Sequence, residues 1–247
     1  MVRGARRLRY PPLHKFQTIL LVAPVLLFSV IAHEIAHGYA ALRQGDRTAL
    51  DAGRLSWNPI RHIDPYMTIL LPLLMLMGSS FIGGRAVVFG GAKPVPVDPR
   101  NYRHIRRGDI IVSLAGVATN FVIAVACTVL IVLLGLLYRA VPGAEQTVGL
   151  LQVMFGLGVL LNLSLIAFNL LPIPPLDGSH VMKYLLPRAI AIQYVRFGRY
   201  GLLVLVLLLY SGGRILDIWF TPTYVLIEAI LRNVQPFLAP TAVAWLK

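Results

Sequence analysis

Residues 16–42 read FQTILLVAPVLLFSVIAHEIAHGYAAL, a long apolar run that contains two histidines and one glutamate. A helix of about 20 apolar residues crosses a hydrocarbon core of about 30 Å, so this run is long enough to span a membrane. It lacks the polar stripe of a soluble protein's surface helix. The run therefore predicts a transmembrane helix, and its ionisable side chains are candidates for function because such groups are costly at membrane depth.

His33, Glu34 and His37 form a His-Glu-x-x-His motif inside this run. Two histidines four residues apart project from the same face of a helix, which is the spacing with which two imidazoles bind one zinc ion. The glutamate beside them can accept a proton from water whose acidity the metal raises. The alternative is a pair of histidines hydrogen-bonded between packed helices, with Glu34 as their buried partner.

The composition indicates a polytopic membrane protein, because 57% of the 247 residues are hydrophobic and only 13% are charged. The net charge is +13, but Lys and Arg are spread over the connecting segments. This distribution favours anionic lipid headgroups of the bilayer as a partner and argues against nucleic acid. The single cysteine, Cys127, lies in an apolar run and excludes both a disulfide framework and a thiolate zinc site.

The predicted fold class is an all-α polytopic membrane protein, a bundle of about five or six transmembrane helices. Further spans are expected at about residues 110–137 and 148–171, and another at 200–210 that either ends there or continues to 220. Three parts are predicted: a basic N-terminal arm (1–15), a membrane domain (16–220) and a C-terminal interfacial or packing helix (221–247). We read residues 43–65 as turns and short strands.

Two irregular segments are expected near the metal motif. Tyr66 to Ile82 is apolar but short, contains Pro72 and ends in glycines, which is typical of a re-entrant segment. Lys93-Pro-Val-Pro-Val97 cannot be helical and predicts an extended edge. Short extended or β elements are therefore predicted beside the bundle.

Asp177 is the best candidate for a third metal ligand, because a catalytic zinc site normally has three protein ligands and a water. It is the only carboxylate between Glu145 and Asp217, and it follows an apolar helix that ends in a cluster of prolines. Those prolines break the helix where an irregular backbone could line a wet cavity. Alternatively, Asp177 caps the next helix. The presence of an intramembrane His-Glu-x-x-His motif favours the role of Asp177 as a metal ligand.

Together these motifs resemble those of site-2 proteases, a family of intramembrane zinc metalloproteases. The family pairs a transmembrane His-Glu-x-x-His with a later Asn-x-x-Pro-x-x-Pro-Leu-Asp-Gly, here residues 169–178. The resemblance implies that His33, His37 and Asp177 bind one zinc ion and that Glu34 is the catalytic base.

The resemblance extends over about residues 16–190 and is strongest to the minimal prokaryotic branch. Asn-Pro-Ile-Arg-His-Ile-Asp-Pro at 58–65 and Gly-Ala-Lys-Pro-Val-Pro-Val at 91–97 are its companion motifs. Where the family has Gly-Pro before an asparagine, this chain has Gly116-Val-Ala-Thr-Asn120. Neither a PDZ insertion nor a CBS domain is recognised, so their roles in substrate delivery and nucleotide regulation are not implied.

Four polar residues are candidates for secondary roles. Asn169 and Asn120 are possible contacts for the substrate or its oxyanion; for Asn169 a hydrogen bond between helices is equally expected. His180 is three residues from Asp177 and is a possible partner of a metal ligand. A structural role is the more frequent one for both His180 and His62.

The membrane face on which the site lies follows from the number of membrane crossings between the two motifs. If residues 66–82 crossed the membrane, His37 and Asp177 would lie on opposite faces, so a re-entrant path is predicted. Segments 43–65, 83–108 and 174–199 then share one side and carry 4, 6 and 4 Lys or Arg. The positive-inside rule places this side, with the active site, in the cytoplasm, although the basic N-terminal arm argues the other way. We expect an integral protein of a prokaryotic inner membrane.

The resemblance implies hydrolysis of a peptide bond within or near a transmembrane segment of another membrane protein, as in regulated intramembrane proteolysis. The substrate helix would unwind locally, and Val95 to Val97 would either bind it by β-addition or form a plain loop. The alternative is a transporter that handles protons or metal ions with the same buried His, Glu and Asp side chains. In an enzyme these side chains would meet at one point, whereas a transport pathway would string them across the membrane.

Overall fold

The computed structural model describes residues 15–70, 91–211 and 213–245. Its helices are α1 (Lys15–Gln44), α2 (Thr48–Asp51), α3 (Ile105–Ala140), α4 (Glu145–Asn169), α5 (Asp177–Leu185), α6 (Arg188–Phe197), α7 (Gly201–Ser211), α8 (Gly213–Val234) and α9 (Pro240–Trp245). Short 3-10 or π-helical turns lie at Pro59–His62, Pro65–Leu70, Pro99–Asn101, Pro142–Ala144, Gly198–Tyr200 and Gln235–Phe237. Within the described ranges there is no β-strand.

Four helical segments in the described part of the chain are long and apolar enough to cross a membrane. They are Ile19–Gln44, Ile105–Ala140, Glu145–Asn169 and Arg188–Tyr210. The prediction of an all-α polytopic membrane protein is therefore confirmed at this level. A total of about five or six spans remains a prediction.

The long helices α1, α3 and α4 pack against one another. At the end of α1, Gly45 adopts a φ of +108°, and the N–H of Arg103 donates to the carbonyl of Gln44 at 2.9 Å. Helix α3 therefore starts where α1 ends and runs back along it, and the short connection at 141–144 returns α4 in the direction of α1. As a result, the His-Glu-x-x-His end of α1 and the proline-rich end of α4 lie at the same end of the bundle.

The main apolar core joins α3, α4 and α8. Its buried members are Ala124, Cys127, Ile131, Val159, Leu163, Ile227 and Val234. A buried glutamine ties the C-terminal segment to this core: Gln152 donates to the carbonyls of Ile131 and Phe237 and accepts from the N–H of Ala239. The C-terminal segment thus packs on the bundle, and α8 begins at Gly213, before the expected boundary at residue 221.

Asp46 joins the two ends of the chain segment that leaves α1 and returns to α3. This fully buried carboxylate accepts from the N–H of Asp98 at 2.8 Å and from the side chain of Asn101 at 2.9 Å. Further along, Thr68 donates to the carbonyl of Gly91 at 2.7 Å. The chain therefore departs and returns at one end of the bundle. Most of the expected re-entrant segment, residues 71–82, lies outside the described residues.

The short strands expected within residues 43–65 are wrong, because this segment forms α2 and a 3-10 turn. Asn58 caps that turn by accepting from the N–H of Ile60, and Pro59 opens it, which suits a helical turn better than a paired strand. Residues 91–98 form neither helix nor paired strand. Their two internal prolines lack the N–H that a central ladder requires.

The joined ends predict that residues 50 and 100 lie on the same membrane face. Single cysteines replacing Leu50 and Arg100, whose side chains are exposed, should react with a membrane-impermeant maleimide from one side only, and from the same side. Val141→Cys, in the connection at the other end of α3 and α4, should react from the opposite side. Labelling of residues 50 and 100 from opposite sides would contradict this arrangement.

Candidate metal centre

Three candidate ligand atoms meet at one point. His33 Nε2 lies 3.0 Å from His37 Nε2, and the Oδ2 of Asp177 lies 3.2 Å from the first and 3.4 Å from the second. Tetrahedral nitrogen and oxygen ligands about 2.0–2.1 Å from a zinc ion are separated by about 3.3 Å. The donor set and its spacing therefore fit zinc. Among the described residues, this is the one His, Cys, Asp and Glu group with such geometry.

The hydrogen bonds around these atoms also fit a bound cation. Nδ1 of His37 lies 2.7 Å from the carbonyl of Val112. Because a carbonyl only accepts, Nδ1 carries a proton, and in the neutral ring Nε2 then presents a lone pair. The Oδ2 of Asp177 is buried and has no hydrogen-bond partner among the described residues. Lone pairs that converge in this way repel one another, and a cation between them removes that repulsion.

Helix α3 forms a close wall behind His33. A Cβ built on Gly116 would lie 2.5–2.6 Å from the imidazole ring of His33, which is far inside van der Waals contact. Val112, one turn earlier on α3, contacts His37. The two helices therefore meet in an antiparallel register, and only glycine at position 116 leaves room for the ring. The sequence motif contained Gly116, but nothing in the sequence pairs it with His33.

Asp177 reaches the centre because the chain turns sharply after α4. Three prolines at positions 172, 174 and 175 end that helix, and Asp177 is the first residue of α5. A Cβ on Gly178 would collide with the carbonyls of Leu170 and Leu171, so the Asp-Gly pair lets α5 start directly against the end of α4.

Glu34 lies on the same turn of α1 and faces the irregular segment 91–98. Its Oε2 accepts a hydrogen bond of 2.8 Å from the N–H of Val95. This N–H lies between Pro94 and Pro96, which have none to offer. Arg54 holds the same segment by donating to the carbonyl of Lys93 at 2.8 Å. The segment thus brings one backbone donor to the carboxylate.

The two asparagines have different surroundings. Asn120 is fully buried on α3, one turn after Gly116, and neither its Oδ1 nor its Nδ2 has a hydrogen-bond partner among the described residues. Asn169 donates to the carbonyl of Leu165 in its own helix at 3.0 Å. The side chain of Asn169 therefore bonds within α4, and the alternative hydrogen bond to another helix is not observed among the described residues.

Neither of the two other candidate histidines, His62 and His180, joins the three ligand atoms. His62 is buried and lies 2.7 Å from the carbonyl of Ser56, so it stabilises the loop before residue 65. His180 contacts the carboxylate of Asp109 on α3 at 3.2 Å. Asp109 lies between the basic pair Arg106-Arg107 and the apolar run at 110–137, without a recognisable motif, and sequence reasoning missed it.

The fold and this centre define an integral membrane protein with a His-His-Asp cluster that fits a metal ion and with an adjacent glutamate. The model of peptidase family M50 matches residues 21–211, and the chain therefore belongs to this family. The resemblance to site-2 proteases is confirmed: the protein is a site-2-type zinc metalloprotease, with Zn²⁺ as its metal.

Two bacterial relatives match most of the chain. "Putative zinc metalloprotease YwhC" of Bacillus subtilis is 36% identical over 202 residues, which cover 82% of this chain and 84% of the relative. "Putative zinc metalloprotease Rip2" of Mycolicibacterium smegmatis is 31% identical over 211 residues, which cover 85% and 73%. No solved structure matches the chain significantly.

The close contact at Gly116 predicts a specific steric effect. Gly116→Ala should displace the His33 ring and weaken zinc binding by at least about tenfold, the range seen when the surroundings of a ligand are disturbed. Alanine favours helix formation over glycine, so a loss of metal affinity could not come from helix propensity. Zinc affinity would be measured by competition with a chelator. Gly143→Ala, where an added Cβ meets no atom within 4 Å, is the control, and equal affinity in both variants would contradict the packing argument.

Proposed function

We propose that this protein hydrolyses a peptide bond within or near a transmembrane segment of another membrane protein. The observation that carries the proposal is the convergence of His33, His37 and Asp177 to within 3.4 Å of one another at one end of a membrane-spanning bundle. Glu34 follows directly on His33 in the same helix. Convergence at a point supports a catalytic centre over a transport pathway, in which ionisable side chains follow one another across the membrane.

The proposed roles follow from this arrangement. His33, His37 and Asp177 hold the zinc ion and Glu34 is the general base. Zinc supplies polarisation of the scissile carbonyl and increased acidity of water. Glu34 accepts the proton of the attacking water and returns it to the leaving amine. The Val95 N–H, at 2.8 Å, keeps the carboxylate aimed toward the irregular segment.

The irregular segment is the proposed binding edge for an unwound substrate. The carbonyl of Val95 and both backbone polar groups of Val97 have no hydrogen-bond partner among the described residues. An extended peptide pairs with such groups by β-addition. Because Val95 also contacts Glu34, a strand bound there would pass the proposed base.

Asn120 and Asn169 are the proposed polar contacts of the substrate. Asn120 is the stronger candidate, since a fully buried amide without partners costs free energy unless function requires it. Its position one turn from Gly116 puts it close to the His33 side of the centre. Asn169 keeps one amide hydrogen free after its bond to Leu165, and it lies at the end of α4.

For topology, we propose that the active site faces the cytoplasm of a prokaryotic cell, in the inner membrane. The connections at this end carry 14 of the Lys and Arg residues, against six in the N-terminal arm and at Arg139. With a re-entrant segment between residues 66 and 82, five or six spans in total and the catalytic domain at 16–220, both motifs lie at one membrane face.

Glu34→Gln and His33→Ala separate proton transfer from metal binding. Glutamine has nearly the volume of glutamate but cannot act as a base, so Glu34→Gln should retain about one zinc per chain while cleavage falls by orders of magnitude. His33→Ala leaves two ligands and should lose both metal and activity. Both variants would be tested in vesicles with a co-reconstituted membrane substrate, with zinc measured by elemental analysis.

Two outcomes would contradict the proposed roles. Cleavage by Glu34→Gln at nearly the wild-type rate would mean that Glu34 is not the base. Unchanged zinc content in His33→Ala would remove His33 from the ligand set. A substrate that accumulates uncut on Glu34→Gln could be recovered by pull-down, which would identify it.

Asn120→Leu tests a role in substrate binding. Leucine fills a similar volume without polar atoms, so thermal stability in detergent should not fall, because no hydrogen bond is lost. Cleavage should fall about a hundredfold if the amide donates to the substrate carbonyl. Gln152→Leu is the matched control: it removes three hydrogen bonds and should lower stability. A less stable but fully active Asn120→Leu would show a structural role instead.

A further inference from the structure

We infer that Asp109 is a positioning residue that holds α5, and with it Asp177, in place against α3. Asp109 lies in the first turns of α3 and is only 2% exposed. Its carboxylate contacts three side chains of α5: Nδ1 of His180 at 3.2 Å, the hydroxyl of Tyr184 at 2.9 Å and Nζ of Lys183 at 2.5 Å. The inference rests on the proposed role of Asp177 as a metal ligand.

The spacing of these contacts fixes the helix as a body. His180 lies about one turn after Asp177, and Lys183 and Tyr184 lie about one turn later still. One carboxylate therefore engages two successive turns of the helix whose first residue is Asp177. Contacts on two turns oppose both rotation about the helix axis and sliding along it. Either motion would move the carboxylate of Asp177 away from His33 and His37.

Helix α5 needs such an anchor because it is weak by itself. It has nine residues, and isolated helices shorter than about 12–15 residues are marginally stable. It follows the proline-rich turn, and only Gly178 and Ser179 are buried. The other described polar link to α3 comes from the same region, where Arg106 donates to the carbonyl of Tyr184 at 3.3 Å.

The charged groups around Asp109 act together to hold α5 against α3. Lys183 and His180 face it from α5, and Arg106 lies over the Tyr184 ring on the α3 side. A buried carboxylate is retained only when such partners compensate its desolvation. Burial, together with the bond to Asp109, raises the pKa of Tyr184 to about 12, so its hydroxyl stays a donor at neutral pH. Removal of the Asp109 charge therefore weakens three contacts at once.

The test compares zinc affinity in purified full-length protein by chelator competition. Asp109→Asn keeps the size of the side chain and should weaken zinc binding by about 10–100-fold, although Asp109 does not touch the metal. In metal-free protein, the amides of residues 177–185 should exchange faster with deuterium while those of α4 stay unchanged. Glu228→Gln is the control, because it breaks the exposed Glu228–Arg232 pair and should change neither measurement.

A second variant separates positioning from charge compensation. Asp109→Asn combined with Lys183→Gln removes the unpaired lysine but still lacks the carboxylate. If Asp109 positions α5, zinc binding stays weak in the double variant. Full recovery of affinity there would overturn the inference, as would wild-type affinity in Asp109→Asn.

Two further measurements complete the test. If Asp109→Asn does not fold, Asp109→Glu, which keeps the charge and moves the carboxylate by one methylene, should weaken zinc binding, and unchanged affinity would overturn the inference. Asp177→Ala tests the underlying proposal separately. If Asp177→Ala binds zinc as well as the wild type, the ligand assignment fails, whereas loss in Asp177→Ala without loss in Asp109→Asn rejects only the role of Asp109.

Discussion

The contact between the His33 ring and Gly116 sets the distance between α1 and α3, and the rest of the centre depends on it. A side chain at position 116 would occupy the space of the imidazole. With glycine there, α3 comes close enough for the carbonyl of Val112 to accept from His37. Both histidines are thus oriented by α3. Gly116 of this helix packs against the ring of His33, and the carbonyl of Val112 accepts a hydrogen bond from His37. Neighbouring groups of this kind fix the orientation of histidines that bind a metal, and their loss weakens metal affinity.

The position of Asp177, the proposed third ligand, depends on a different type of constraint. Asp177 does not belong to a long helix, so its position is built from an irregular turn, a glycine that permits close approach and the anchor at Asp109. In the hydrocarbon region, backbone outside helices is tolerated only where protein or a wet cavity satisfies its polar groups. The end of α4 meets this condition by lying against the start of α5. The site is therefore located where the bundle is least regular.

The parts of this structure that were predictable from the sequence are those with local signals. Apolar runs located α1, α3 and α4 to within a few residues. The His-Glu-x-x-His spacing indicated His33 and His37, and the isolated carboxylate after a cluster of prolines indicated Asp177. The roles of Asp109 and Gly116 were not predictable, because each depends on a partner more than 70 residues away. Local patterns do not encode such pairs. The short strands expected in residues 43–65 failed for a related reason: turn residues there cap helical turns instead of pairing with a partner strand.

Two buried amide side chains of this bundle, Gln152 and Asn120, differ in whether they have hydrogen-bond partners. Gln152 uses both ends of its amide, with donors to two carbonyls and an acceptor for the N–H of Ala239, so its burial stabilises the fold. Asn120 is buried to the same degree but has no partner among the described residues. In an apolar environment the second arrangement is the more costly one. Positions that break local rules of stability tend to be functional. We therefore expect a substrate carbonyl to be bound at the turn of α3 that carries Asn120, next to His33.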